Sequence, residues 1–190
     1  EDMNSSTSIF EKCDDLGSDR VILLWDLASG KVLKRFFGPI AKTTALTFSE
    51  DGTKFALGDE NGGVQIWDIE AEKMLQQFDG HDGEITAVQF IFSSERLMSA
   101  SMDGTIRFSS PITGKEEFQL ISFENDGWAV VDMEGRFDAS MNNAAKGLYW
   151  NVQNEVVELS QLKSRYFDPG LLSRIASSKP LRNVEAFKDV

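Results

Sequence analysis

The sequence predicts an all-β fold assembled from repeated antiparallel sheets. Its central strand phrase recurs, as VILLWDL at residues 21–27, VQIWDI at 64–69 and the degenerate IRFSS at 106–110. The matching positions Trp25, Trp67 and Phe108 lie 42 and 41 residues apart. Between the phrases, short glycine-containing turns separate runs of strand length and leave no room for a helix. A period of about 40–45 residues with a Trp-Asp pair is typical of a four-stranded β-propeller blade.

The first blade is expected at about residues 9–38, after a polar, serine-rich segment at residues 1–8 that predicts a flexible N-terminal linker. A strand at residues 9–15 precedes the first central phrase, and an outer strand follows at residues 32–37. Between the last two strands, Gly30 supplies the positive φ that a tight turn needs.

Two further blades are expected at about residues 39–79 and 80–122. Their predicted strands lie at residues 44–49, 54–58, 64–69 and 74–78, and at residues 85–90, 96–101, 106–110 and 116–121. Alternate residues of a strand point to opposite faces, and apolar residues occur on both faces of residues 64–69. We therefore expect this strand to be covered by neighbouring blades on both sides.

A degenerate fourth blade is expected at about residues 123–158. The strand-like WAVVD begins 43 residues after ITAVQ of the third blade, and Trp150 lies 42 residues after Phe108. This interpretation depends on spacing and strand character rather than on a motif. We expect Trp25, Trp67, Phe108 and Trp150 to occupy the cores of successive blades.

Residues 159–190 are predicted to form a short helical extension and a connector. An apolar stripe at helical spacing indicates a first helix: Val156, Leu159, Leu162 and Tyr166. Asp168 and Pro169 are a suitable N-cap and first-turn pair for a second helix.

The composition narrows the class of partner. Hydrophobic residues make up 41% of the 190 residues, and the formal net charge is −12. Nucleic acids and anionic membrane surfaces bind basic footprints, so we expect neither as a partner. No apolar run approaches the ~20 residues of a membrane span. Cys13 is the single cysteine, which excludes an intramolecular disulfide and fits a reducing compartment, and we therefore expect a cytoplasmic location.

The repeated phrase, and the Gly80-His81 pair that opens the third blade, resemble the WD-repeat family over most of residues 10–120. The resemblance implies a propeller of about seven blades that acts through its faces and rim. It also implies a structural hydrogen-bond chain that contains His81, Ser99 and Asp103, with Phe108 in place of the usual Trp.

His, Ser and Asp are also the residue types of a catalytic triad. The chain has no Gly-x-Ser-x-Gly motif, however, and Cys13 and His81, the single Cys/His pair that a cysteine peptidase would need, lie on predicted blade elements. No Cys/His cluster has the spacing of a zinc site, and the acidic turns lack the spacing of a calcium loop. We therefore expect no catalytic, cofactor-binding or metal-binding residues.

A second resemblance covers residues 127–190. The strings GWAVVDMEGRFDAS, YW and ELSQLKSRYFDPGLLSRI, in this order, are similar to a module that follows the last blades of bacterial WD-repeat proteins. That module often precedes a further domain, including caspase-like peptidase domains.

The sequence favours two functions over a third, a small-molecule sensor in the central channel of the propeller. One is a non-catalytic scaffold that binds protein partners through the face or rim of a propeller. The other is the regulatory portion of a larger bacterial caspase-like peptidase whose catalytic domain lies outside this chain. In both cases we expect further blades, from additional N-terminal sequence or a second chain, because at most four blades leave sheet faces open.

Overall fold

The structure, a computed structural model, describes residues 7–13, 20–38, 41–91, 93–123, 127–140, 149–152, 155–177 and 179–184. The strands are β1 (Thr7–Cys13), β2 (Arg20–Asp26), β3 (Lys31–Phe37), β4 (Thr43–Phe48), β5 (Lys54–Asp59), β6 (Gly63–Asp68), β7 (Lys73–Asp79), β8 (Ile85–Ile91), β9 (Arg96–Ser101), β10 (Thr105–Ser109), β11 (Glu116–Phe123), β12 (Gly127–Asp132), β13 (Phe137–Ala139), β14 (Tyr149–Val152) and β15 (Glu155–Glu158). The helices are α1 (Leu159–Tyr166) and α2 (Leu171–Ala176). The predicted fold class, antiparallel sheets followed by two short helices, is confirmed.

The chain divides into two compact units. The first contains the residues up to Asp103 together with Phe108–Lys115, and the second contains Gly104–Arg107 together with the residues from Glu116 onward. Strand β10 contributes residues to both units. Neither described helix has the length and apolar character needed to cross a membrane.

The first unit contains a three-stranded sheet, β1–β2–β3, and a four-stranded sheet, β4–β5–β6–β7. In the same unit β8 pairs with β9. Every strand pair is antiparallel and joins neighbours in the chain, as short turns between successive strands require. In the central sheet, Ile66 lies opposite Ala56 and Trp67 lies opposite Phe55.

Apolar side chains cover both faces of the central sheet, as the alternation in β6 predicted. One cluster joins it to the first sheet and consists of Ile22, Leu24, Phe36, Phe55, Leu57, Trp67 and Ile69. A second cluster joins its other face to β8 and β9 and consists of Ala56, Val64, Ile66, Ile85, Val88 and Leu97. Consecutive residues Ile66 and Trp67 thus stabilise opposite interfaces, because side chains alternate along a strand.

Two glycines allow β8 and the loop before it to approach the central sheet closely. A Cβ atom on Gly58 would overlap the side chain of Ile85, and one on Gly62 would overlap the backbone oxygen of His81. Gly62 also has a φ of +88°, which L side chains rarely adopt. Beside them, the hydroxyl of Thr44 donates to the carbonyl of Ile85 at 2.5 Å.

In the second unit, the strand pairing differs from that expected of a separate fourth blade. Strand β12 pairs with β11 and β13, so that Phe118 lies opposite Asp132 and Val131 opposite Phe137. Strands β14 and β15 form a ribbon of their own. The short turn between β12 and β13 favours a hairpin of these two strands. Spacing along the sequence could not show this, because it does not distinguish the first strand of a new blade from the next strand of a meander.

The two helices pack within the second unit. Tyr166 at the end of α1 is fully buried against Val131 and Phe137. The chain after α1 follows β13 closely, since Phe137 and Phe167 form a parallel bridge and the Asp168 N–H donates to the Phe137 carbonyl at 2.8 Å. Both helices were predicted, but their contacts with the strands make them part of this unit rather than an extension that begins at residue 159.

The helix boundaries differ from the prediction in two places. Val156 lies in β15 and is 71% exposed, so the apolar stripe does not begin there; the side chain of Leu162 lies outside the described residues. Gly170 with φ +79°, rather than Asp168, is the N-cap of α2. The Asp168 carboxylate instead pairs with Arg174 in the following helix.

A buried ion pair stabilises the turn of the β12–β13 hairpin. Arg136 donates from Nε to Asp132 Oδ2 at 2.6 Å, and the two side chains are 7% and 5% exposed. The same guanidinium donates through one Nη to the Arg182 carbonyl at 2.8 Å. Asp132 also accepts the backbone N–H groups of Glu134 and Arg136. Arg136 of the hairpin is thereby bonded to Arg182, which lies 46 residues further along the chain.

Candidate functional site

Three structural features bring His81, Ser99 and Asp103 together in the first unit. His81 lies in the loop before β8, and Ser99 lies on β9 opposite Val88, on the face that contacts the central sheet. Asp103 lies in the turn after β9, where Gly104 adopts a φ of +83° and closes the turn.

The three side chains form a hydrogen-bond chain. His81 Nδ1 lies 2.9 Å from Asp103 Oδ2, and His81 Nε2 lies 2.9 Å from Ser99 Oγ. In the neutral ring, the Nδ1–H donates to the carboxylate and the serine hydroxyl donates to Nε2. His81 is 7% exposed and Ser99 is 6% exposed, so both nitrogens of the imidazole are satisfied inside the protein.

Further hydrogen bonds tie the two loops around this chain. The Asp82 N–H donates to Asp103 Oδ2 at 3.1 Å. The Ser101 hydroxyl donates to the Gly83 carbonyl at 2.8 Å and accepts the Asp103 N–H at 3.2 Å. The carboxylate of Asp103 therefore orients the imidazole and also fixes the backbone beside it, which is a structural task.

At the equivalent positions of the central sheet, the sequence lacks the residue types that would form such a chain. Forty-two residues before His81, Ser99 and Asp103 the sequence has Pro39, Leu57 and Asn61. In that sheet the indole N–H of Trp67 donates to Gln65 Oε1 at 3.1 Å, and both side chains are buried. Sequence reasoning missed Gln65, although its position two residues before Trp67 on one strand puts both side chains on the same face.

The structure corrects the alignment of Phe108 with Trp67. Gly62 and Gly104 both have positive φ and precede β6 and β10, so the two strands are in register at a spacing of 42 residues. At that spacing Phe108 corresponds to Ile66, and the buried Ser109 takes the position of Trp67. The position of the turn glycine Gly104 determines the register of β10. Matching Phe108 to Trp67 by aromatic character therefore gave the wrong alignment.

The other predicted blade-core residues fall in different environments. Trp67 is 5% exposed and stacks on Phe55 with ring centroids 6.2 Å apart and an interplanar angle of 3°. Trp25 is half-buried, and its indole nitrogen finds no hydrogen-bond partner among the residues that the structure describes. The side chains of Trp150 and Cys13 lie outside the described residues.

A second repeated contact joins the outer strand of one sheet to the turn after the third strand of the next sheet. The Lys34 ammonium donates to the Glu70 carbonyl at 3.0 Å, and the Gln76 amide donates to the Ile112 carbonyl at 3.0 Å. Each bond joins residues 36 apart, and the two bonds are offset by 42 residues, so they are the same contact in successive repeats. The sequence analysis missed this contact because Lys and Gln share no obvious motif.

The aspartate carboxylates in the turns accept hydrogen bonds from backbone N–H and hydroxyl groups of the same turns. Asp51 accepts the Ser49 hydroxyl at 2.6 Å and the Thr53 N–H at 3.0 Å, and these hydrogen bonds lower the pKa of Asp51 to about 2. The Ser29 hydroxyl and the Ala28 N–H likewise lower the pKa of Asp26. Over the described ranges, no group of three or more His, Cys, Asp or Glu side chains is arranged to hold a metal ion.

Comparison with known families places two repeats in the chain. The model of the family described as WD domain, G-beta repeat matches residues 30–68 and 72–108. Each match begins around the outer strand of one sheet, β3 or β7, and ends around the third strand of the next, β6 or β10. The matches identify WD40 repeats and support a WD-repeat family for this chain. No curated protein matches the chain.

Proposed function

We propose that this chain is a non-catalytic protein-interaction scaffold. The observation that carries the proposal is the pair of WD40 repeats, which generally mediate protein interactions. In the structure these repeats build sheets that pack through both faces of the central sheet, which leaves their loops and outer strands for partners.

The burial of the His81–Ser99–Asp103 chain supports the non-catalytic part of the proposal. A serine nucleophile must reach its substrate, whereas Ser99 is 6% exposed and bonded to His81 Nε2. The experiment is an esterase and peptidase assay on the purified chain with p-nitrophenyl acetate and casein. We expect no turnover above buffer. Turnover that disappears in Ser99→Ala, with circular dichroism unchanged, would overturn this part.

The interaction part is tested by affinity capture followed by reconstitution from purified components. A captured protein should bind the chain with a saturable isotherm, and the isotherm should change when exposed outer-strand or loop residues are substituted. Failure of every captured protein to bind in reconstitution would contradict the scaffold proposal.

We also propose that a further blade, from a second chain or from additional sequence, covers β8. On this strand Ala87 and Gln89 are exposed, whereas the corresponding Ala45 and Thr47 of β4 are half-buried beside the next sheet. Size-exclusion chromatography with light scattering, combined with hydrogen exchange, tests this idea. A cooperatively melting monomer near 21.2 kDa would contradict it.

A second function, that of a regulatory portion of a larger bacterial caspase-like peptidase in the cytoplasm, is supported by one observation. The segment that resembles the linking module falls within a compact unit of its own, with Tyr166 and Arg136 at its centre. The native reading frame tests this function. A caspase-like sequence downstream would support it, and an early stop codon would contradict it.

A further inference from the structure

The first sheet repeats the register of the central sheet but lacks its first strand. Every pair of opposite residues in β2 and β3 has its counterpart 42 residues later in β6 and β7. In both sheets the register also shifts at the same place, between Leu24 and Trp25 and between Ile66 and Trp67. Strand β1 therefore corresponds to β5. Strand β4, which pairs with β5, has no counterpart beside β1 in the described part of the chain.

Strand β1 is consequently an edge strand on the side where the central sheet continues. The edge of such a strand carries backbone N–H and C=O groups that can pair with another strand. Strand β1 is seven residues long, and its pairing with β2 runs from Thr7 to Cys13 without a register shift. An added antiparallel strand would extend this regular ladder in the way that β4 extends the ladder at β5.

The burial of β4 shows the same gap. Leu46 of β4 packs against the cluster that joins the central sheet to the first sheet, and Val88 is its counterpart 42 residues later in β8. Val88 is 7% exposed, whereas Leu46 is half-buried. Val88 faces a four-stranded sheet, and Leu46 faces a three-stranded one. The greater exposure of Leu46 is the result expected when the facing sheet is one strand short.

The contact between β4 and the next sheet indicates which side chains such a strand presents. Ala45 packs against the cluster that joins the central sheet to β8 and β9, and Thr47 lies on the same face of β4. Beside them, the Thr44 hydroxyl donates to the Ile85 carbonyl. An inner strand thus presents small and hydroxyl side chains to the sheet that follows it, and apolar side chains such as Leu46 to the other face.

The same register assigns the positions of a strand added to β1. The position of Ala45 falls opposite Glu11, and the position of Leu46 falls opposite Phe10. Phe10 in turn lies opposite Leu23, whose side chain is 8% exposed on the face of the first sheet away from the central sheet. The added strand therefore needs small or hydroxyl residues toward the central sheet and apolar residues on the face of Leu23.

We propose that β1 binds an extended segment of a partner protein, which completes the first sheet as its fourth strand. The segment runs antiparallel to β1 and has the alternation of β4, with small or hydroxyl residues on one face and apolar residues on the other. Main-chain hydrogen bonds give affinity in this mode, and alternate side chains give specificity. The inference deepens the proposed scaffold function and rests on it, since it names one docking site and the chemistry of its partner.

The sequence argues against occupation by this chain's own segments that lie outside the described residues. A hairpin from residues 1–6 into β1 would use at least two residues for its turn, and Met3 is the single apolar residue among the remaining four. Residues 141–148 include six Asn, Ala, Lys or Gly residues among eight, and residues 185–190 include four Glu, Ala, Lys or Asp residues among six. These residue types are depleted in strands.

A second copy of the chain also lacks the required alternation. Antiparallel pairing of two β1 strands would bring alternate residues of the second β1 to the face of the central sheet. Ile9 and Glu11 share one face of β1 by register, and Phe10 and Lys12 share the other. Neither pair supplies the small and hydroxyl side chains that β4 presents at this position. A partner segment with the alternation of β4 meets no such obstacle.

A synthetic peptide tests the proposal on the full chain. The probe is fluorescein-labelled KTTALTFS, which is residues 42–49 of this chain, because β4 has the chemistry expected of the partner. We expect saturable binding in fluorescence anisotropy. Hydrogen exchange should show added protection at β1 and no change at β7.

Two control peptides should bind at least about tenfold more weakly than the probe. The first carries Ala45→Trp, which is too large for the face toward the central sheet. The second carries Leu46→Pro together with Thr47→Pro. One of these two adjacent N–H groups must face β1 in an added strand, so the second peptide loses a ladder hydrogen bond in either alignment.

A variant of β4 locates the site on the protein. Leu46→Lys places a charge beside the added strand and should weaken probe binding about tenfold or more. Leu46→Met keeps the apolar surface and should bind the probe as wild type does. Ala87→Lys, at an exposed position of β8, is the matched control and should leave binding unchanged. Circular dichroism checks the fold of each variant, and the peptide controls test the site independently if Leu46→Lys does not fold.

Several results would overturn the proposal. They are absence of wild-type binding at millimolar probe, added protection only outside β1, and equal binding of the proline peptide. A dimer that protects β1 in light scattering and hydrogen exchange would assign the site to a second copy. Loss of probe binding in a longer chain that carries its native upstream residues would assign it to those residues. Both of these results would also overturn docking of a partner.

The outcome is distinguishable from that of the scaffold proposal. A reconstituted partner that binds without protecting β1, and that the probe does not displace, would overturn docking at β1 and leave the scaffold function intact. A partner that protects β1, and that the probe displaces, would support both.

Discussion

Apolar faces hold the sheets of the first unit together, whereas the second unit combines a smaller apolar cluster with a buried ion pair. The central sheet contacts its neighbours through Trp67 on one face and Ile66 on the other. In both contacts, one antiparallel sheet packs against the next through apolar side chains. In the second unit, Arg136 bonds Asp132 and the backbone of Arg182 in a place that has no repeat. The comparison shows that the first unit spreads its contacts over repeated apolar faces, whereas the second unit also depends on the buried Arg136–Asp132 ion pair and its bond to the Arg182 backbone.

The largest effect is expected at the buried Arg136–Asp132 ion pair. Arg136→Met should destabilise the second unit by about 3–5 kcal/mol, because it leaves the Asp132 carboxylate buried without its cation. Hydrogen exchange at residues 179–184 should rise together with exchange in β12 and β13, while β4–β7 keep their protection. Glu134→Gln is the control, since Glu134 contacts the same guanidinium but is 60% exposed, and it should change stability by no more than about 1 kcal/mol. Equal effects of the two variants would contradict the comparison.

The next effect tests close packing in the first unit. Gly58→Ala should cost about 2–3 kcal/mol in urea unfolding, because the new methyl group would overlap Ile85. Ile85→Ala should be destabilising alone but should cost much less in the Gly58→Ala background, since the smaller side chain leaves room for the methyl group. Additive effects of the two substitutions would show that Gly58 and Ile85 do not limit the approach of the sheets.

A smaller effect is expected at the hydrogen-bond chain. Asp103→Ala should destabilise the first unit by about 1–2 kcal/mol, because His81 stays buried and loses its carboxylate. His81 is the single histidine, so the imidazole NMR signal reports the tautomer directly. Asp82→Ala is the control, because its side chain is exposed and only its backbone N–H meets Asp103. A thermal melt of Asp103→Ala equal to that of wild type would contradict a stabilising role.

The smallest effect is a local dependence on pH at the turn after β4. The folded-state pKa of Asp51 is lowered to about 2 from an unperturbed value of 3.8. A lowered pKa means that the ionised group stabilises the fold fully above the unfolded-state value and that this contribution is lost as pH falls through about 2. A carboxyl NMR titration should therefore place the Asp51 midpoint well below the unperturbed value of 3.8. In Ser49→Ala the midpoint should move upward; an unchanged midpoint would show that the hydroxyl is not the main cause.

The first unit was largely predictable because its contacts are local and recur. The period of the Trp-Asp phrase located the strands around Trp67, and alternation predicted that both faces would be buried. The register of β10 was wrong, since Phe108 was matched by its aromatic character while Gly104 determines the turn. The hydrogen-bond residues His81 and Asp103 were identified through the family resemblance, and their distances required the structure.

The second unit was less predictable because its contacts join residues that are distant in sequence. Helical spacing located α1 and α2, but a stripe of apolar residues does not state which strand will cover it. The contact of Tyr166 with Phe137 and the bond from Arg136 to Arg182 have no local signal. The N-cap of α2 was misplaced for the same reason, since Arg174 binds the Asp168 carboxylate that was expected to cap the helix.

The pattern of residues along the chain was enough to predict the all-β class, the spacing of the strands, the two-sided burial of β6 and the two helices near the C-terminus. These features follow from periods of two, about four and about forty residues, which are written along the chain. The folded structure was needed to show that β12 joins β11 and that Arg136 holds the segment at Arg182. These features share one physical reason. Strand pairing and the desolvation of charged groups depend on which groups meet in space, and the order of residues along the chain does not specify which groups meet.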